Sequence, residues 1–138
     1  MRALTLTEPF ATLMMLREKK IETRSWKLPD KYIGEEVIIH SAKGYPKWAQ
    51  ALCEQEPFRS SLRYPDGNYA YPEFNRTEGL CRVKFIGCRR TEDIRSQLTE
   101  KELAFGNYFD GRWAWLTEYC QIIDRREPHV GHLGFWEW

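Results

Sequence analysis

Lys20, Glu22, Arg24 and Trp26 occupy alternate positions of one short stretch, Lys20-Ile21-Glu22-Thr23-Arg24-Ser25-Trp26. In an extended chain, period two puts these four on one face and Ile21, Thr23 and Ser25 on the other. A core would not accept that row, because burying its charges unpaired is costly. As a recognition surface it suits nucleic acid. The cations hold phosphates, the indole stacks on a base, and the carboxylate accepts from a base amine. Stacking on one ring is worth about 1–3 kcal/mol per base. The plainer alternative is a solvated strand face on which Glu22 bridges its two cations.

Other residues could do chemistry. His40 and Lys43 follow the run Val37-Ile38-Ile39. Beside Glu22 they would supply acid–base groups, since burial tunes either toward neutral pH. The alternative is a His40 hydrogen-bonded in the interior and a Lys43 at a strand end. Ser25 and Ser41 lack the G-x-S-x-G setting of a nucleophile elbow. His129 and His132 are three apart, but Pro128 and Gly131 predict a turn, so no metal site is expected there. A divalent ion aided by Glu22 and Asp110 is the arrangement a metal-assisted nuclease would need. Trp113 with Trp115, and Trp136 with Trp138, each put two indoles on one strand face, which reads as core. Arg112, beside the first pair, suits a phosphate contact.

The elements that must position these residues follow from periodicity and punctuation. Arg2 to Leu6 alternates and predicts a strand. Pro9 to about Glu18 predicts a short amphipathic helix, with Thr7 and Glu8 before Pro9 as caps. Lys20 to Trp26 predicts a strand that Leu28-Pro29-Asp30 ends. Glu36 to Ser41 predicts a buried strand. Pro46 to about Glu54 reads as helix with Trp48, Ala51 and Leu52 on one face. Residues 57–76 lack a period and mix Arg59, Arg63 and Arg76 with Tyr64, Tyr69, Tyr71 and Phe74. That predicts a long functional loop suited to single-stranded nucleic acid or to a protein partner. Gly79 to Arg89 alternates as a half-buried strand, Glu92 to Leu98 reads as a short helix, and Thr99 to Glu102 has capping-box spacing. Strands are expected at Trp113 to Ile123 and Gly134 to Trp138. The sum is an α+β fold: five or six short mixed strands with short helices packed beside them. Strands this short are best closed into a small β-barrel, which removes open edges. A single domain over residues 1–138 is expected.

Composition narrows the function classes. The formal net charge is +1, so any nucleic-acid site must be a local patch rather than a property of the whole chain. The first fifty residues lean basic. No pair among Cys53, Cys81, Cys88 and Cys120 has C-x-x-C spacing. That argues against structural zinc and for free thiols in a cytoplasmic setting. No apolar run is long enough to span a bilayer. The chain enters a strand-like stretch at once, so no secretory leader is expected.

Five segments, in order, resemble the ASCH family. They are Leu4-Thr5-Leu6-Thr7-Glu8-Pro9-Phe10-Ala11, Lys19-Lys20-Ile21-Glu22-Thr23-Arg24-Ser25-Trp26, Ile38-Ile39-His40-Ser41-Ala42-Lys43, Gly111-Arg112-Trp113-Ala114-Trp115-Leu116 and Gly131-His132-Leu133-Gly134-Phe135-Trp136. The resemblance implies a PUA-like pseudo-barrel with a cleft between barrel and helices. It also implies RNA-related work: binding RNA, cleaving it, or hydrolysing an acetylated cytidine. Two positions depart from the pattern. Glu18 stands where the family has Gly. Aligned on Arg24, the lysine of the small acetylcytidine amidohydrolases falls at Lys19, but their threonine falls at Glu22. The expectation is an RNA- or nucleoside-binding cleft using Lys20, Arg24, Trp26, His40, Lys43 and Arg112, with no cofactor. The alternative is a hydrolase in which Lys19 or Lys43 acts on the scissile group and Glu22 is the acid–base, with a divalent metal if it is a nuclease. A protein-interaction module using the Arg/Tyr loop is a third option.

Overall fold

The computed structural model describes residues 1–70, 73–124 and 126–138, with only the backbone at Cys120. Tyr71 and Pro72 of the expected loop, and the Cys120 thiol, lie outside the described residues. Six strands form: β1 (Arg2–Leu6), β2 (Ile21–Arg24), β3 (Glu36–Ser41), β4 (Gly79–Arg90), β5 (Trp113–Ile122) and β6 (Phe135–Glu137). Five short helices accompany them: α1 (Phe10–Met15), α2 (Lys47–Cys53), α3 (Phe58–Ser61), α4 (Thr91–Ile94) and α5 (Glu100–Ala104). The expected α+β class is seen. α1 is shorter than its periodicity suggests. Arg17 takes a positive φ of 65°, and the Leu13 carbonyl accepts from both Glu18 and Lys19 backbone N–H groups, which turns the chain toward β2. At α5, the Thr99 hydroxyl accepts from the Glu102 N–H at 3.1 Å, as the capping-box spacing predicts. The region expected as a structureless loop instead carries α3 and buries Phe58, Leu62 and Ala70.

The strands form one sheet in the order β2-β5-β4-β3-β1-β6, with β1 parallel to β3 and the other ladders antiparallel. Among the described residues no ladder joins β2 to β6, so the expected closed barrel is not seen. The sheet is nonetheless strongly curled. Laid flat, β5 and β6 would lie four strand spacings apart, about 19 Å. Yet the Trp115 and Phe135 rings stack with centroids 5.6 Å apart and planes within 6°. Phe85 of β4 meets both rings edge-on. These rings, with Leu4, Val37, Ile39, Val83 and Met14, form the main core. The two edge strands, β2 and β6, leave a seam in the curled sheet, and α1 packs against β3, β4 and β1. Met14 and Leu13 of that helix are fully buried.

A short repeat sets two helix starts. In Glu8-Pro9-Phe10-Ala11-Thr12 the Glu8 carboxylate accepts from the Thr12 N–H at 2.8 Å and the Thr12 hydroxyl at 2.6 Å. In Glu56-Pro57-Phe58-Arg59-Ser60 the Glu56 carboxylate does the same with Ser60, at 2.8 and 2.5 Å. Both Glu–Pro bonds are cis. The first copy is buried and places Phe10 at the seam; the second is exposed and places Phe58 against Phe10 and Phe105. No described helix is long and apolar enough to cross a membrane. Cys53 and Cys88 carry free thiols.

Candidate functional site

The seam left by the unclosed sheet is a cleft of about 600 Å³. One wall comes from the end of β1 (Thr5, Leu6) and from Phe10 of α1. The opposite wall is β2 with Lys19, Glu22, Thr23 and Arg24. Residues Phe105 to Asn107 after α5, together with Arg112, form one side, and Trp48 and Leu52 of α2 the other.

β2 pairs only with β5, with Glu22 opposite Trp115 and Arg24 opposite Trp113. Alternation therefore turns Glu22 and Arg24 to one face, as the spacing predicts. Glu22 joins two cations: Oε2 accepts from Arg24 Nε at 2.9 Å, and Oε1 lies 3.5 Å from Lys19 Nζ. The bridging expected of Glu22 is present, but its second cation is Lys19 rather than Lys20. Lys19 precedes the ladder and so escapes the alternation. Its side chain is buried, and Nζ donates to the Ile21 carbonyl at 2.7 Å and the Phe105 carbonyl at 2.5 Å. The Glu22 ion pair at 3.5 Å completes a ring of three oxygens around the ammonium. Arg112 spans the strand and the loop, donating from Nε to the Asn107 carbonyl at 3.1 Å and from a terminal nitrogen to the Thr23 carbonyl at 3.4 Å. Lys19, Arg24 and Arg112 against Glu22 leave the cleft with a surplus of positive charge.

Backbone closeness is required where the loop after α5 meets β2. A Cβ on Gly106 would sit 2.7 Å from a Tyr108 ring carbon and 3.0 Å from Thr23 Cγ2. Glycine there lets the Thr23 hydroxyl accept from the Asn107 N–H at 2.9 Å, which holds the cleft floor. Behind it lie two buried oxygens without hydrogen bonds, Glu102 Oε2 and the Tyr108 hydroxyl. Burial pushes the Glu102 carboxyl up from its ordinary range, against the pull of Lys19.

Of the residues expected at the site, Glu22, Arg24, Lys19 and Arg112 converge and four do not. Lys20 is exposed and borders a separate cavity with Glu102, Lys101 and Arg17. The ladder begins at Ile21, one residue too late to direct its side chain. Trp26 lies past the strand end, 45 % exposed, with its ring edge-on to Trp115 at 5.9 Å. His40 and Lys43 line a different, more apolar pocket with Thr77 and residues 128–133. His40 is fully engaged there. Its Nε2 meets the His129 carbonyl at 2.8 Å, and its Nδ1 meets the Thr5 hydroxyl at 3.0 Å, which accepts from Trp136 Nε1 at 3.0 Å. That chain fits a neutral imidazole carrying its proton on Nε2. Burial pushes its pKa below the usual histidine value. The interior role weighed for His40 is the one observed, and Lys43 does not reach Glu22. Asp110 pairs with Arg95 at 2.5 Å and does not line the cleft, so the two carboxylates weighed for a divalent ion do not meet. His129 stacks on Trp138 and His132 meets Trp136 edge-on. Among the described residues no group of three or more His, Cys, Asp or Glu could hold a metal ion.

Trp48, Phe10 and Phe105 are the site residues that sequence periodicity misses. α2 buries Ala49 and Cys53, one turn apart, rather than the face of Trp48, Ala51 and Leu52. That releases Trp48 to the cleft rim, 58 % exposed. The signal was present: Ala49 and Cys53 already make an i, i+4 apolar pair, so a large indole beside them was not needed for the core.

The family model described as ASCH domain matches residues 4–126. No curated protein matches the sequence. A crystal structure of ASCH from Zymomonas mobilis is 14 % identical, covering 88 % of this chain and 68 % of that one, with a TM-score of 0.48. A tyrosine-to-phenylalanine mutant of the Zymomonas mobilis protein aligns at 14 % identity over 94 % of this chain and 74 % of its own, with a TM-score of 0.49. A serine-to-alanine mutant of it aligns at 14 % identity over 94 % and 72 %, with a TM-score of 0.50. At that identity the likeness concerns the fold.

Proposed function

The chain belongs to the ASCH domain family, and on that footing we propose that its seam cleft binds a nucleotide of single-stranded RNA. We read the curled sheet as the incomplete barrel of PUA-like folds, with the cleft at its unclosed edge. One observation carries the functional reading: three cations, Lys19, Arg24 and Arg112, line one cleft against a single carboxylate, Glu22, which pairs with the first two, and exposed Trp48 rims it. Arg24 and Arg112 take the phosphate. Both keep guanidinium nitrogens free of hydrogen bonds among the described residues, which suits a bidentate grip on phosphate oxygens. Trp48 stacks on the base, with Phe10 and Leu52 beside it. Glu22 holds Arg24 in place and presents an acceptor to a base amine. Lys19, held by the Ile21 and Phe105 carbonyls, fixes Glu22 through their ion pair.

Gel shifts with unstructured RNA at two salt concentrations test this. Binding should weaken with salt and fall in Arg112→Ala and Trp48→Ala. Affinity indifferent both to salt and to those substitutions would refute it.

A hydrolase reading draws on a different observation, the burial of Lys19 within 3.5 Å of Glu22 in an open cleft. Of its three assigned residues, Lys43 stands in the other pocket. Incubation of RNA and acylated cytidines with and without EDTA separates the two readings. Turnover abolished by Glu22→Gln would favour the hydrolase.

A further inference from the structure

Trp113, the first residue of β5, lies opposite Arg24 at the end of β2 and opposite Arg90 at the end of β4. Cross-strand partners project on the same face, so the sheet ends in a row of cation, indole, cation. The row is tightly knit. The Arg90 guanidinium lies 4.1 Å from the Trp113 ring centroid, and Lys27 Nζ lies 5.9 Å from the same ring. The Arg24 guanidinium lies 5.3 Å from the Trp26 ring. Lys27, Arg90 and Trp26 are exposed. Glu22 pairs with Arg24 at 2.9 Å, whereas Asp30 is 4.0 Å from Lys27 and 86 % exposed at its side chain, so solvent screens it. Among the described residues the Arg90 guanidinium otherwise makes a long 3.4 Å contact with the Gly111 carbonyl.

Arg24 belongs both to this row and to the cleft. From that shared residue we infer that the row is a track for the strand leaving the cleft, so the ligand is a single-stranded polynucleotide rather than a free nucleoside. The inference rests on the cleft reading. Glu22 compensates Arg24, but Lys27 and Arg90 are gathered on the one Trp113 ring and repel each other. A chain of phosphates removes that repulsion while its bases stack on the rings. A lone nucleoside would fill the cleft and leave Lys27 and Arg90 without a phosphate.

The test uses cytidine 5′-monophosphate and a fluorescent decacytidylate, titrated against the wild type and a Lys27→Ala/Arg90→Ala double variant. Both positions are exposed, and circular dichroism checks the fold. Arg63→Ala, which removes an exposed cation over Tyr69 outside the row, is the control. The wild type should bind the oligomer at least tenfold more tightly than the mononucleotide. The double variant should lose about tenfold on the oligomer and lower its salt slope by about 1.4, the contribution of two single-strand phosphate contacts. Its affinity for the mononucleotide should not move. An oligomer no tighter than the mononucleotide, or a double variant that keeps wild-type oligomer affinity, overturns the track and leaves the cleft reading standing. A wild type that binds neither ligand overturns both.

Discussion

Glu8 and Glu56 make the same pair of hydrogen bonds at the same point of the same five-residue motif, yet their carboxyls shift in opposite directions. Burial pushes Glu8 up from 4.5 to about 7, overriding the two donors of Thr12. Exposed Glu56 is pulled down by its bonds to Ser60. Desolvation therefore decides the sign. Between about pH 4.5 and 7 native Glu8 keeps a proton that the unfolded chain has released, so stability falls as pH rises through that window. At 1.36 kcal/mol per unit, the loss amounts to about 3 kcal/mol above pH 7. Glu8→Gln keeps the shape and removes the ionisation. Its amide oxygen still accepts from the Thr12 N–H, and its amide nitrogen can donate to the hydroxyl. Urea unfolding of both proteins at pH 4 and pH 8 isolates this group, because every other titration is common to the pair. The variant should match the wild type at pH 4 and exceed it by about 3 kcal/mol at pH 8. Glu56→Gln should show the opposite trend, losing stability relative to the wild type as pH rises from below the depressed pKa to the ordinary carboxyl value of 4.5, with a constant difference above it. A Glu8→Gln difference that is the same at both pH values would refute the claim that burial governs this carboxyl.

Three further outcomes follow from the site. Gly106→Ala forces a Cβ against Tyr108 and Thr23. It should cost about 1–3 kcal/mol in denaturant unfolding and weaken RNA binding together with it. Trp48→Ala removes an exposed ring, so it should leave the melting temperature unchanged while weakening binding to unstructured RNA by about 1–3 kcal/mol. His40, depressed by burial, should titrate below 6.5 in an NMR pH series. Its contribution to stability is present above that value and is lost as pH falls, and a midpoint at or above 6.5 would contradict the sealed, neutral imidazole.

Much of this protein was legible in its sequence, because strand alternation, β-branched runs and helix caps act over a few neighbouring residues. β1 appears where alternation put it and β3 where its β-branched run did, Thr99 caps α5, and Glu22 and Arg24 share a face because adjacent strand residues must point apart. The five ordered motifs identified the family for a related reason: each is a local turn or strand whose residue types are fixed by its own geometry. What the sequence could not determine depended on partners distant in the chain. The β2–β5 ladder starts at Ile21, and that long-range choice sends Lys19 into the cleft and leaves Lys20 outside. Burial of Ala49 and Cys53 against other elements decided that Trp48 would face the cleft. Residues 128–133 cover His40 and remove it from Glu22. Closure of the sheet was likewise a tertiary matter: whether the edge strands β2 and β6 pair depends on how far all six strands curl together, which no local pattern encodes.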